Sequence, residues 1–200
     1  TESLGPKQAD TEDFYLILCR LAPIKRVRQA VLAAKEREFT LKIAGSGPLR
    51  PELEAIAPDN VEFLGWVEPD RKRRLLAGAR ASINCCMAED FGMSVVESMA
   101  SGTPVITVDE GMPRYTVEDG TRGIHFSEGK LLRGIERFES EGVSMSERGI
   151  AEWTRDNFGT NRFIQQMRAA IDEAERKNRI TPEFRSGDDT ASEINTATNN

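Results

Sequence analysis

Between residues 14 and 126, short apolar runs alternate regularly with segments whose apolar residues recur at helical spacing, and this constrains the chain more than any other feature. The run "FYLILC" (14–19) has strand length, and "KRVRQAVLAAKERE" (25–38) carries Val27, Ala30, Val31 and Ala34 along one helical face. The unit then repeats as strand 39–45, helix 48–57, strand 61–65, helix 69–79, strand 81–87, helix 92–102 and strand 104–109, followed by a short strand at 123–126. Such alternation predicts an α/β fold: a Rossmann-like, doubly wound parallel sheet joined by right-handed crossovers, with helices on both faces. Two C-terminal helical segments follow, 129–140 and 145–177, the second broken near Phe158 and Gly159. Flanking composition reads residues 1–13 as a linker and 179–200 as a disordered tail, leaving 14–178 as the domain.

Composition narrows the function classes. Two hundred residues suffice for one well-buried α/β domain and not for two. With 38% hydrophobic and 30% charged residues, the chain has no apolar run near the ~18 residues of a membrane span. The opening "TESLGPKQAD" has no signal-peptide pattern. A net charge of −6 argues against a nucleic-acid partner, which needs a basic face. The local exception, Arg71-Lys72-Arg73-Arg74, reads as a solvated helix face. Of the three cysteines, Cys85 and Cys86 are adjacent on an expected buried strand and poorly placed to bridge each other, which points to a reducing, cytoplasmic setting.

In an open parallel sheet, ligands bind beyond the carboxyl ends of the strands, so chemistry is sought in the strand-to-helix loops. In "RLAPIK", Arg20 and Lys25 stand beside a helix start, an arrangement that suits a diphosphate, although taken alone it better describes an ordinary surface pair. In "GSGP", Gly45 and Gly47 permit either close ligand approach or simply a turn into Pro48. That loop lacks the third glycine of a dinucleotide fingerprint and the Lys-Ser/Thr of a P-loop, so neither NAD binding nor ATP hydrolysis is indicated. The fourth loop is more informative. In "AEDFGMSVVESMASGTPVI" (88–106), Phe91, Gly92 and Met93 offer backbone N–H groups to an anion, with Glu89 before them and Glu97 inside the helix. Carboxylates there are unsuited to binding more phosphate and suited to accepting hydrogen bonds from sugar or ribose hydroxyls.

From Phe14 to Phe126 the chain resembles the C-terminal, nucleotide-sugar-binding domain of retaining GT-B glycosyltransferases of the group 1, or family 4, type. The resemblance rests on four segments in order: "CRLAPIK", "LKIAGSGP", "NVEFLGWV" and "EDFGMSVVESMASGTPVI", the last matching a Glu-x7-Glu motif. It implies that Arg20 and Lys25 neutralise the diphosphate of a UDP-sugar or GDP-sugar, so that no metal is required. It implies too that Glu97 binds the ribose hydroxyls and that Glu89 lies near the transferred sugar. Phe91, Gly92 and Met93 then face sugar and phosphate, and backbone around Trp66 and Val67 holds the base.

Departures from the family pattern are Cys19 and Arg26 in place of glycines, Cys85-Cys86 in place of Pro-Ser, and "DEGMPRYTVEDG". Near its start the last has a single glycine, Gly111, for the usual adjacent pair, with Tyr115 near the place of the usual Glu. The resemblance covers only the donor half. The implied partner is an N-terminal acceptor-binding domain, in cis or as a separate subunit, through which peripheral membrane association would also occur. Trp153, Phe158, Phe163 and Met167, in the closing helices, read either as facing that half or as covering this domain's own sheet. Two alternatives to a hexosyltransferase follow: a non-catalytic nucleotide-sugar-binding or regulatory module, and a sugar-nucleotide epimerase of the same architecture.

Overall fold

The computed structural model describes residues 12–180. Expectations for 1–11 and 181–200 lie outside the described residues. The last two residues of the expected linker are tied to the fold: the Glu12 N–H donates to the Gly78 carbonyl at 2.8 Å, and Arg80 pairs with Asp13 at 3.0 Å.

The elements run β1 (Tyr15–Leu18), a 3-10 turn (Pro23–Lys25), α1 (Val27–Arg37), β2 (Leu41–Ala44), α2 (Arg50–Ile56), β3 (Val61–Gly65) and α3 (Pro69–Gly78). They continue with β4 (Ala81–Asn84), α4 (Met93–Ala100), β5 (Val105–Val108), α5 (Pro113–Thr116), β6 (Gly123–Phe126), α6 (Leu131–Glu141), α7 (Glu147–Phe158) and α8 (Thr160–Ile180). All six strands pair in parallel in the order β3-β2-β1-β4-β5-β6. The order reverses direction at β1, which pairs with β2 on one side (Tyr15 with Leu41) and β4 on the other (Tyr15 with Ala81). That is the doubly wound arrangement expected from the alternation.

Because successive strand residues point to opposite faces, β1 divides its side chains between two cores. Tyr15 and Ile17 join Leu41, Ile43, Ile83 and Ile106 beneath α1 and α6, whose Val27, Ala30, Val31, Leu131 and Ile135 cover that face. Phe14 and Leu16 point the other way, against Leu76 and Ala79 at the end of α3. Farther along the second face, Val95 and Met99 of α4 pack with Val105, Val117 and Ile150 of α7. Burying both faces requires the near-continuous apolar strands seen in the sequence.

Three local expectations are corrected. β4 ends at Asn84, so Cys85 and Cys86 fall in the loop after it, although both are buried. The helix expected at 92–102 starts at Met93 and ends at Ala100, with Gly92 as its N-cap. The short helix α5, led by Pro113, is absent from the strand-and-helix pattern because four residues show no periodicity.

The structure divides into one compact unit ending at Thr160 and another beginning at Asn161. The first contains the sheet, and within it Trp153 and Phe158 stack edge to face at 5.8 Å. In the second, the exposed Phe163, Ile164, Met167 and Ile171 recur at helical spacing along α8. The four aromatic and sulfur side chains in question thus divide, two packing within the sheet unit and two remaining exposed.

The exposed Glu38 closes α1 with φ 55°, a left-handed conformation that costs an L-residue about 1–2 kcal/mol. Glycine is the usual residue there. Glu38→Gly is therefore expected to raise unfolding free energy by about 0.5–1 kcal/mol, measured by urea denaturation; a lower midpoint would contradict this.

Candidate functional site

A loop leaves the carboxyl end of each of the six strands, and those after β1 and β4 emerge side by side where the strand order reverses. The loops after β1 and β2 are fastened together. Leu21 N–H donates to the Ser46 carbonyl at 2.9 Å, Leu49 N–H donates to the Leu21 carbonyl at 3.2 Å, and Gly45 N–H donates to the Gly65 carbonyl at 2.7 Å. This contact explains the glycines. A Cβ on Gly45 would lie 1.8 Å from the Cys19 carbonyl oxygen, and one on Gly47 would lie 2.4 Å from that of Leu21. Both glycines are demanded by backbone packed against backbone, which holds the Arg20 loop beside the second loop.

Above these loops opens a cleft of about 630 Å³ lined by residues from four of them. Arg20, Gly45, Ser46 and Gly47 form one side, Trp66, Val67 and Lys72 another, and Met93, Ser94 and Glu97 of α4 the third. Arg20 is exposed, with no ion-pair partner among the described residues. Trp66 stands 69% exposed at the rim whereas Val67 is buried, so only the first offers an aromatic face to a ligand. Met93 and Ser94 sit in the first turn of α4, where N–H groups lack intrahelical acceptors.

Two lysine–glutamate pairs dominate the charge in this region. Lys72 Nζ lies 2.7 Å from Glu97 Oε1, inside the cleft. Lys25 Nζ lies 2.5 Å from Glu89 Oε2, outside the lining. Burial disfavours the charged form of Glu89, but hydrogen bonds from Lys25 and the Cys86 thiol, with the charge of Lys25, hold its carboxyl below the usual value. Burial likewise opposes the Lys25 charge, and the Glu89 hydrogen bond overrides it and raises its pKa. Burial pushes the Cys19 thiol up to about 12 despite the opposing charge of Lys25. Cys19 lines the cleft as a neutral thiol rather than a nucleophile.

Of the residues singled out in the sequence, the cleft unites Arg20, Gly45, Gly47, Trp66, Val67, Met93 and Glu97. Lys25, Glu89, Phe91 and Gly92 are not in its lining. Phe91 turns toward α7 and meets Phe158 edge to face at 6.0 Å. Glu89 is gripped from behind by the loop after β5, where Met112 N–H donates to its carbonyl at 2.9 Å. Tyr115, in that altered loop, is exposed.

Lys72 is the residue that sequence reading missed. The basic run was read as uniformly solvated, yet Lys72 reaches across to α4 while Arg73 pairs with Asp70 on its own helix. The signal was present in the spacing: Lys72 shares a helical face with Leu75, Leu76 and Ala79, and Leu76 and Ala79 are fully buried.

Residues 4–155 match the protein family described as glycosyl transferases group 1. The chain belongs to that family. Over 150 residues it is 35% identical to a GDP-mannose-dependent alpha-mannosyltransferase of Mycolicibacterium smegmatis, which covers 72% of this chain and 36% of that protein. It is 29% identical over 157 residues to 2-deoxystreptamine glucosyltransferase of Streptomyces kanamyceticus, covering 71% and 41% respectively. The chain therefore spans well under half the length of these curated relatives. Among solved structures, the apo form of the lipopolysaccharide outer core galactosyltransferase WaaB superposes with a TM-score of 0.72 at 21% identity, covering 86% of this chain and 53% of that one. Anabaena HepE in complex with UDP gives 0.68 at 20% identity, covering 82% and 49%. These likenesses place the fold as one half of the GT-B architecture, and no helix among the described residues is long and apolar enough to cross a membrane.

The Lys25–Glu89 pair makes a pH-dependent contribution to stability. Because the Glu89 pKa is lowered by folding, the contribution is present above the unfolded glutamate value of 4.5 and is lost as pH falls through the lower folded value. With side chains 25% and 19% exposed, it amounts to no more than about 1 kcal/mol. Glu89→Gln is expected to be less stable than wild type at pH 7 and to converge with it below pH ~4. A stability difference that persists undiminished to pH ~3 would contradict this origin.

Proposed function

We propose that this chain is the donor-binding half of a retaining glycosyltransferase that moves a hexosyl group from a nucleoside diphosphate sugar to an acceptor. One observation carries the reading. At the point where strand order reverses, a single cleft sets a guanidinium without an ion-pair partner among the described residues, Arg20, across from a helix start and a carboxylate, Glu97. The cation and N–H groups suit a diphosphate, and the carboxylate suits ribose hydroxyls. Support comes from the relatives, one named for GDP-mannose, and from a structural neighbour that holds UDP.

In this reading Arg20 and Lys25 stabilise the diphosphate as the bond from the anomeric carbon to its phosphate oxygen breaks, so that two fixed cations do the work of a metal. The acceptor oxygen bonds to that carbon on the face the diphosphate leaves, and the acceptor proton passes to a phosphate oxygen. Glu97 anchors the ribose, and Glu89 serves the transferred sugar. Backbone near Trp66 and Val67 holds the base. The single histidine, His125, takes no part. Its Nε2 is 2.5 Å from the Val117 carbonyl and its Nδ1 is 3.3 Å from Asp109, so both nitrogens are occupied away from the cleft. The partner is an acceptor-binding domain, in cis or as a separate subunit, and any membrane association of this otherwise cytoplasmic protein runs through it.

Calorimetry on the 200-residue chain tests the division of labour between the glutamates. Glu97→Gln is expected to weaken UDP or GDP and the corresponding nucleotide sugar alike, by about tenfold. Glu89→Gln is expected to leave the bare nucleotide nearly unchanged and to weaken only the sugar-bearing donor. Equal losses on both ligands for both variants would undo the assignment, and absence of any nucleotide binding by the wild type at millimolar concentration would overturn the site.

A further inference from the structure

The Lys72–Glu97 pair divides the hydrogen-bonding capacity of the cleft in a way that a lone glutamate does not. A carboxylate facing a vicinal diol ordinarily accepts from both hydroxyls, one on each oxygen. Here one acceptor position on Oε1 of Glu97 is occupied by Lys72 at 2.7 Å, and Oε2 has no partner among the described residues. The ammonium carries three N–H donors, of which Glu97 uses one. Side chains 29% and 20% exposed show both groups partly withdrawn from water yet reachable from the cleft they line. What faces a ligand is therefore a carboxylate with open acceptor positions and a cationic donor side by side, where a lone glutamate offers acceptors only.

The placement of Lys72 does not serve α3. It is the fourth residue of a helix that opens with Pro69, and a cation near a helix start opposes the helix dipole. The helix supplies Asp70 as a nearby acid, but Asp70 pairs with Arg73. Lys72 instead crosses to α4, on the face it shares with Leu76 and Ala79, and its ammonium lies against the carboxylate expected to hold the ribose.

We propose that Lys72 is a specificity-determining residue of the donor cleft that recognises one of the two ribose hydroxyls directly: one hydroxyl donates to Glu97 Oε2, and the oxygen of the other accepts from Lys72 Nζ. A diol satisfies this site because each hydroxyl both donates and accepts. The arrangement also fixes the Glu97 carboxylate before the ligand arrives, so less side-chain ordering remains for binding. The inference rests on the cleft being a nucleoside diphosphate site, as proposed above.

The test is a cycle between protein and ligand. Wild type, Lys72→Met and Lys72→Arg are titrated calorimetrically with UDP, 2′-deoxy-UDP, 3′-deoxy-UDP and inorganic pyrophosphate, or with the guanosine series if GDP binds more tightly. Methionine keeps the helix propensity and length of the side chain, and far-UV circular dichroism verifies folding. Lys72→Met is expected to weaken UDP about tenfold and to leave pyrophosphate unchanged. It is also expected to erase the affinity penalty for losing one ribose hydroxyl while the penalty for losing the other persists. Lys72→Arg should retain most of the wild-type affinity. An equal loss of pyrophosphate affinity would make Lys72 a general source of positive charge and overturn the proposal. Undiminished penalties for both deoxy ligands would do the same, leaving Lys72 as a support for Glu97 alone. If wild type binds UDP or GDP and Lys72→Met binds it identically, only this inference fails; if wild type binds neither, the donor-site reading fails and takes the inference with it.

Discussion

The clasp between the first two strand-to-helix loops is the constraint on which the rest of the site depends. Leu21 stands at its centre, donating to Ser46 and accepting from Leu49, with the Gly45 and Gly47 backbones pressed against the carbonyls of Cys19 and Leu21. No side chain fits between these segments. Arg20 is thereby presented from a short loop held on both sides, and its position relative to Glu97 is set by β1 and β4 being neighbours in the sheet. A loop free to move would spread the guanidinium over many positions and weaken its attraction for any fixed anion.

A second consequence concerns charge. The protein is acidic overall, with a net charge of −6, yet in its cleft region two lysines each face a carboxylate: Lys25 with Glu89 and Lys72 with Glu97. Each pair spares a partly buried charge from standing alone. Each also leaves its members competing between one another and a ligand. On the proposed reading a diphosphate would draw on Lys25 and a diol on the Lys72–Glu97 pair, whereas Arg20, with no ion-pair partner among the described residues, needs no such exchange. Binding is then expected to begin at Arg20.

Much of the architecture was legible because it follows from periodicity. Val27, Ala30, Val31 and Ala34 fix one helix face, and the continuous apolar strands imply burial on both sides; the observed strand order needs little more. Element ends were less legible because the last residue of a strand is decided by neighbours in space. Cys85 and Cys86 look like strand in sequence, but pairing with β5 stops at Asn84, leaving them buried in a loop. The candidate site was legible wherever a short motif carried its chemistry, as at Glu97 and in the paired glycines, although the glycines serve the clasp and not simply a ligand. Lys72 was not legible, because it lies in a segment whose composition looks exposed and owes its direction to a distant element, α4. The Phe91 side chain likewise turns to a distant element, α7, which says nothing against its backbone facing an anion.

This bears on how the site is built. Glu97 is placed by local backbone, in the second turn of α4, whereas Arg20 is held by the clasp between the loops after β1 and β2. Lys72 and Glu89 are set by long-range contacts: a helix crossing for one, and for the other a backbone bond from Met112 in the loop after β5. Residues set by such long-range contacts depend on how neighbouring helices and loops pack. The loop of Gly111, with its exposed Tyr115, grips the segment that carries Glu89, the residue proposed to serve the sugar. On that reading, these contacts between the loops after β4 and β5 are where the sequence can change donor choice without disturbing the Arg20 side of the cleft.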